Sequence, residues 1–147
     1  MFYLNQKPSE SLAVLATLDP ASVAASTVTT GWVDAGQYFT LLAIIQTGVL
    51  GAAATVDAKL QQATDSGGTG AKDVTGKAIV QIVKASGDNK QAMLNVKGAD
   101  FDVEGGFRFA RLSLTVGTAA SIVSAALLGC MPRYAVVANQ AATVQVI

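Results

Sequence analysis

Along much of the chain, apolar and polar residues alternate with period two. Val56, Ala58 and Leu60 project one way while Thr55, Asp57, Lys59 and Gln61 project the other. This is the pattern of a strand with one dry and one wet face. Ala92, Leu94 and Val96 alternate in the same way with Met93, Asn95 and Lys97. Tyr38 to Thr47 differs, with Tyr38, Leu42 and Ile44 on one side and Phe39, Leu41 and Ile45 on the other. Two apolar sides predict a strand covered on both faces. Thr27 to Val33 is rich in β-branched and aromatic residues and reads as a strand. It is closed by turn residues at Asp34-Ala35-Gly36.

Further strands are expected at Ile79 to Val83 and Phe107 to Val116. In the second, apolar parity shifts from Phe107 and Phe109 to Leu112, Leu114 and Val116, which predicts a bulge near Ala110-Arg111. Ser86-Gly87-Asp88-Asn89 reads as a turn, and Thr64 to Lys72 is Gly-rich and reads as a mobile loop. Ile122 to Met131 has a helix-compatible composition. It has the length of its neighbours and no clear caps, so a strand is expected.

Strands at this spacing, separated by turn signals, argue for an all-β protein: a jelly-roll-like antiparallel β-sandwich. The chain has 147 residues, enough for one domain. Three parts are expected: an N-terminal arm over 1–25, broken by Pro8 and Pro20, a sandwich over 26–138, and an extended C-terminal arm over 139–147. Leu12, Val14, Leu15 and Leu18 in the first arm suit one helical turn or an extended clasp. Two β-like patches mark the tail, at Tyr134 to Val137 and Thr143 to Ile147.

Composition narrows the function. Hydrophobic residues make up 51% and charged residues 14%, with ten basic and ten acidic side chains and no histidine. Ordinary soluble domains carry about 25% charge. Such a chain is too apolar to be disordered and too neutral to hold nucleic acid by a charge field. Sparse, balanced charge promotes association, so a homo-oligomer is expected. A single cysteine, Cys130, excludes an internal disulfide framework and reads as an inert core thiol beside Leu127, Leu128 and Met131. The start lacks a basic region followed by an apolar run, and the apolar stretches Phe39 to Val56 and Ala119 to Met131 are interrupted or short. The expectation is a protein made and used without crossing a membrane.

Candidate chemistry is thin. Gly70 to Lys77 resembles a phosphate loop, but its glycines are one residue too far apart and Ala78 stands where a hydroxyl should hold magnesium. Asp100, Asp102 and Glu104 before Gly105 resemble half a calcium loop, with Arg111 where a bidentate glutamate belongs. On a strand these three carboxylates would share a face, to be neutralised by a cation or by basic neighbours. Trp32, Tyr38 and Phe39 suit either a sugar platform or packing anchors. No histidine base accompanies the serines, and no spacing favours a carboxylate pair. The chain therefore reads as no enzyme, with no catalytic, cofactor-binding or metal residues to assign and no cofactor.

Three stretches carry a likeness to a known family. They are Thr27-Val28-Thr29-Thr30-Gly31-Trp32-Val33-Asp34, the run from Ala54 to Asp65, and Gly76-Lys77-Ala78-Ile79. Over Ser26 to Met131 the chain resembles small virion proteins of tailed phages and prophages. The resemblance implies a head decoration or cement protein, a jelly roll that oligomerises on a shell of major capsid protein, with a trimer among the forms. It places the protein in the phage head, assembled in the host cytoplasm; the neutral charge and the short or interrupted apolar stretches argue separately against nucleic-acid and membrane partners. Two other classes stay open: a receptor- or glycan-binding spike module, and a tail or connector component.

Overall fold

A computed structural model describes residues 5–134 and 137–147. Its strands are β1 (Leu12–Val23), β2 (Thr27–Thr29), β3 (Val33–Asp34), β4 (Tyr38–Thr47), β5 (Thr55–Ala63), β6 (Lys72–Ala78), β7 (Ile82–Val83), β8 (Gln91–Lys97), β9 (Phe109–Gly117) and β10 (Ser121–Pro132). One sheet runs β1-β10-β4-β8; the other runs β2-β9-β5-β6, with β3 beside β9 and β7 beside β5. Setting aside the two-residue strands, the first strand pairs with the last, the second with the next to last, β4 with β8 and β5 with β6. That is one long antiparallel ribbon. It rolls up so that β10 meets β4 and β9 meets β5, closing the two sheets of a jelly roll.

The core lies between the sheets. Leu41, Ala43 and Ile45 of β4 face it, as do Val123, Ala125 and Leu127 of β10. From the other sheet come Val56, Ala58 and Leu60 of β5 and Leu112, Leu114 and Val116 of β9. The period-two readings of β5 and β8 therefore hold, and the ambiguous stretch after Ile122 is a strand.

Other expectations change. Leu12–Val23 is not an arm but a twelve-residue strand, paired along β10 from Leu12–Cys130 to Val23–Ser121. Its apolar residues do not alternate because two register shifts interrupt it, at Val14/Ala16 and Leu18/Ala21. The second holds Pro20, which has no N–H to give to a ladder and is tolerated at bulges and edges. Residues 1–4, and 135–136 within the expected Tyr134 to Val137 patch, lie outside the described residues. The bulge expected near Ala110-Arg111 is absent: β9 stays in register with β5 from Phe109–Ala63 to Gly117–Thr55, and Phe107 simply precedes the strand. The strand expected at Ile79 to Val83 is only Ile82–Val83. The sequence reading missed Lys72–Ala78, a sheet-edge strand whose one buried residue is Val74.

The Gly-rich turn between β5 and β6 is tied rather than loose. Asp65 accepts from the N–H groups of Gly67 and Thr69, at 2.9 and 3.1 Å, and the Thr64 N–H donates to the Thr69 carbonyl at 3.1 Å. Among the described residues no helix is long and apolar enough to cross a membrane.

Candidate interaction surfaces

Residues paired across an antiparallel ladder point to the same face. On the outside of the β1-β10-β4-β8 sheet this builds three rows in succession. The first is Leu12, Cys130, Thr40 and Lys97; the second is Val14, Leu128, Leu42 and Asn95; the third is Thr17, Ala126, Ile44 and Met93. Met93 is 64% exposed, and Leu42, Ile44, Ala126 and Leu128 are half-buried, with no second layer over them among the described residues. Among the described residues the reading of β4 as covered on both sides is thus corrected: its inner face is dry, and its outer face is apolar but open. Two depressions mark the open face. One, of about 380 Å³, lies at Leu12, Leu42, Lys97 and Cys130. The other, of about 240 Å³, lies at Thr17, Asp19, Ile44 and Ala126.

The outside of the other sheet is built differently. Its rows are Thr27, Thr115 and Asp57, then Thr29, Ser113 and Lys59, then Arg111, Gln61 and Asp73. The side chains are bonded to one another. Thr27 shares a 2.7 Å hydroxyl contact with Thr115, Lys59 and Gln61 both donate to Asp73, and Arg111 donates to Gln61 at 2.9 Å. The Arg111 guanidinium stacks 4.5 Å over the Trp32 ring.

The acidic cluster sits where β8 of one sheet comes near β6 of the other, in a short 3-10 turn after β8 and the loop that follows rather than on a strand. Asp100 pairs with Lys77 at 3.1 Å and Asp102 with Lys72 at 2.6 Å; Glu104 is exposed in the turn. The Lys97 N–H, reinforced by Lys77, holds Asp100 below the usual carboxylate range. Lys72 and then the Gly105 N–H do the same for Asp102. Lysines therefore neutralise the like charges, and no group of three potential metal-ligating side chains forms among the described residues.

The aromatic residues do not converge. Trp32 lies between β2 and β3, half-buried, against Gly68 of the Gly-rich turn. A Cβ at Gly68, whose φ is +87°, would come within 2.5 Å of the indole nitrogen. Trp32 is therefore an anchor for that turn and not part of the core. Tyr38 is buried and packs on Gly129, where a Cβ would lie 2.7 Å from the ring. Phe39 is half-exposed, with the Arg133 guanidinium 4.4 Å above it. Cys130 is likewise not a core residue. It stands on the open apolar face, where burial pushes its thiol pKa up against the opposing hydrogen bond with Thr40.

The C-terminal segment has a fixed root and a free end. The Ala138 N–H donates to the Tyr38 hydroxyl at 3.4 Å. Val14 donates its N–H to Asn139 at 2.8 Å, and Gln140 donates its N–H to the Val14 carbonyl at 2.7 Å. The two bonds to Val14 lie along the outer edge of β1. Beyond them Val144 is 93% and Ile147 100% exposed.

No protein-family description and no curated protein matches the chain. Among solved structures it is similar to a chain of broad bean stain virus, at 12% identity and TM-score 0.40, over 73% of this chain and 57% of that one. It is also similar to a subunit of Bacillus endospore appendages, described as disulfide-linked pili, at 18% identity and TM-score 0.40, over 88% and 99%. A chain of infectious bursal disease virus aligns at 14% identity and TM-score 0.27, over 83% and 40%.

Proposed function

We propose that the chain is a structural protein of a virus particle, a decoration or cement protein that binds a shell of major capsid protein and stabilises it. The observation that carries this reading is the C-terminal segment. It is rooted on the β1 edge by Asn139 and Gln140, and it exposes Val144, Val146 and Ile147. Apolar side chains on a short irregular segment, left in water beside a complete core, suit an arm that orders on a partner. The resemblance to phage virion proteins and the charge-poor composition support the same reading. Association costs an estimated 4–15 kcal/mol, more than a short arm supplies alone. A repeating shell offsets that cost by presenting linked copies at high effective concentration.

The test is retention on particles. A chain lacking residues 141–147 should melt like the parent yet be lost from particles on washing. The parent should stay bound from low salt to roughly molar salt, where the screening length shrinks to about 3 Å, because its contacts are apolar. A truncated chain retained as well as the parent, or clean release of the parent by salt, overturns the reading.

A further inference from the structure

We propose that a second copy of this chain covers the open face of the β1-β10-β4-β8 sheet, through a two-fold axis lying in the plane between this face and the same face of the second copy. The inference does not depend on the virion reading. It starts from Leu42, Ile44 and Leu128, which form the middle of an apolar face that no other layer of the described residues covers. Five ion pairs are formed among the described residues, and none has a member in the three rows of this face. Two of the charges that border it stand at opposite corners. Lys97 is on β8, at the end of the row that begins with Leu12. Asp19 is on β1, past Thr17 and beside the depression at the other end. Both are exposed.

This arrangement is self-complementary. A two-fold axis through the centre of the face, perpendicular to the line from Lys97 to Asp19, brings each Lys97 over the other copy's Asp19. The same operation lays the apolar middle on itself, as an isologous contact requires. Four strands span about 14 Å between their outer axes, and six residues along a strand span about 20 Å. The diagonal therefore runs closer to the strands than across them. Reflecting strand directions through the axis crosses the two sheets nearer to the orthogonal than to the aligned packing class.

Size points to an association that depends on concentration. A face of these dimensions offers roughly 500 Å² per copy, about 1,000 Å² in all, at the lower limit for a specific interface.

Sedimentation equilibrium over a micromolar concentration series, with the full chain, tests the proposal. The parent should fit a monomer–dimer equilibrium. Lys97→Asp and Asp19→Lys should each weaken it by roughly tenfold or more, since like charges then face each other twice per dimer. The double variant Lys97→Asp/Asp19→Lys should return close to the parent value. Both sites are exposed, so the swaps leave the monomer folded. Ile44→Asp, at the centre, should leave only monomer, and alkylation of Cys130 should slow with protein concentration in the parent but not in this variant. A parent that stays monomeric overturns the proposal. So does a double variant no better than the singles, which would mean the charges meet something other than this two-fold mate.

Discussion

The two outer faces of this sandwich are made from the same kind of ladder and end up with opposite surfaces. Outside β5 and β9, each row is closed by its own neighbours: Thr27 on Thr115, Lys59 and Gln61 on Asp73, Arg111 on Gln61 and Trp32. Outside β4 and β10 the corresponding rows are Leu42 with Leu128 and Ile44 with Ala126. A polar face that satisfies its own hydrogen bonds gains little from a partner. An apolar face left in water gains about 25 cal/mol for each Å² covered. The difference teaches that one fold can be finished on one side and unfinished on the other.

The contrast is one of surfaces, so it fails if the sheets also differ in how they hold the fold. Deleting residues 1–20 has the largest expected effect. It removes most of β1, which β10 needs along its whole length, and circular dichroism should show no cooperative unfolding. A truncated chain that still melts cooperatively would return the segment to the status of an arm. Next come Leu127→Ala and Leu60→Ala, one from each sheet and both fully buried. Each should cost about 2–5 kcal/mol in urea denaturation. A large difference between them would mean that the unfinished sheet is also the weaker one.

Smaller effects sharpen the polar side. Gly68→Ala forces a side chain into a left-handed backbone and onto the Trp32 indole, strain of order 1–3 kcal/mol. It should speed hydrogen exchange in the turn over 64–71 and leave association unchanged. Exchange as slow as in the parent would show that Trp32 does not anchor the turn.

The smallest effect is that of acid. Asp73 is held low by Lys59 and Gln61, and Asp102 by Lys72 and the Gly105 N–H. For Asp34, burial opposes the charge, but Arg108 and Gln37 outweigh it and lower its pKa. Carboxylates with depressed folded pKa values stabilise the fold above the unfolded value of about 3.9, and that contribution fades as pH falls through the folded values. With no histidine in the chain, melting temperature should be flat from about pH 5 to 8 and fall below about 4. A decline beginning near pH 6 would contradict this assignment.

How much of this could be read from the chain follows from how local each signal is. Alternation at Val56-Ala58-Leu60 and at Leu94-Val96 fixed those strands, because a half-buried strand writes its two environments on neighbouring residues. The irregular pattern at Leu12 to Val23 hid a strand, because two bulges break the alternation that would have shown it. Lys72–Ala78 was missed because only Val74 reaches the core from that edge. The acidic cluster was legible as residues needing neutralisation. That Lys77 and Lys72 provide it depends on chain distances of 23 and 30 residues, which only the rolled ribbon closes.

The same division holds for the candidate surface. Sequence alone determined a charge-poor, histidine-free, antiparallel β protein, since composition and period two need no knowledge of neighbours. It also showed that β4 is apolar on both sides, but an apolar side chain does not say what will cover it. Only the tertiary structure decided that Leu41 and Ile45 meet the opposite sheet while Leu42 and Ile44 stand on the outer face, left open by the described residues. Which face of a strand is inside is set by which sheet packs against it, and in a jelly roll that sheet comes from strands remote in sequence.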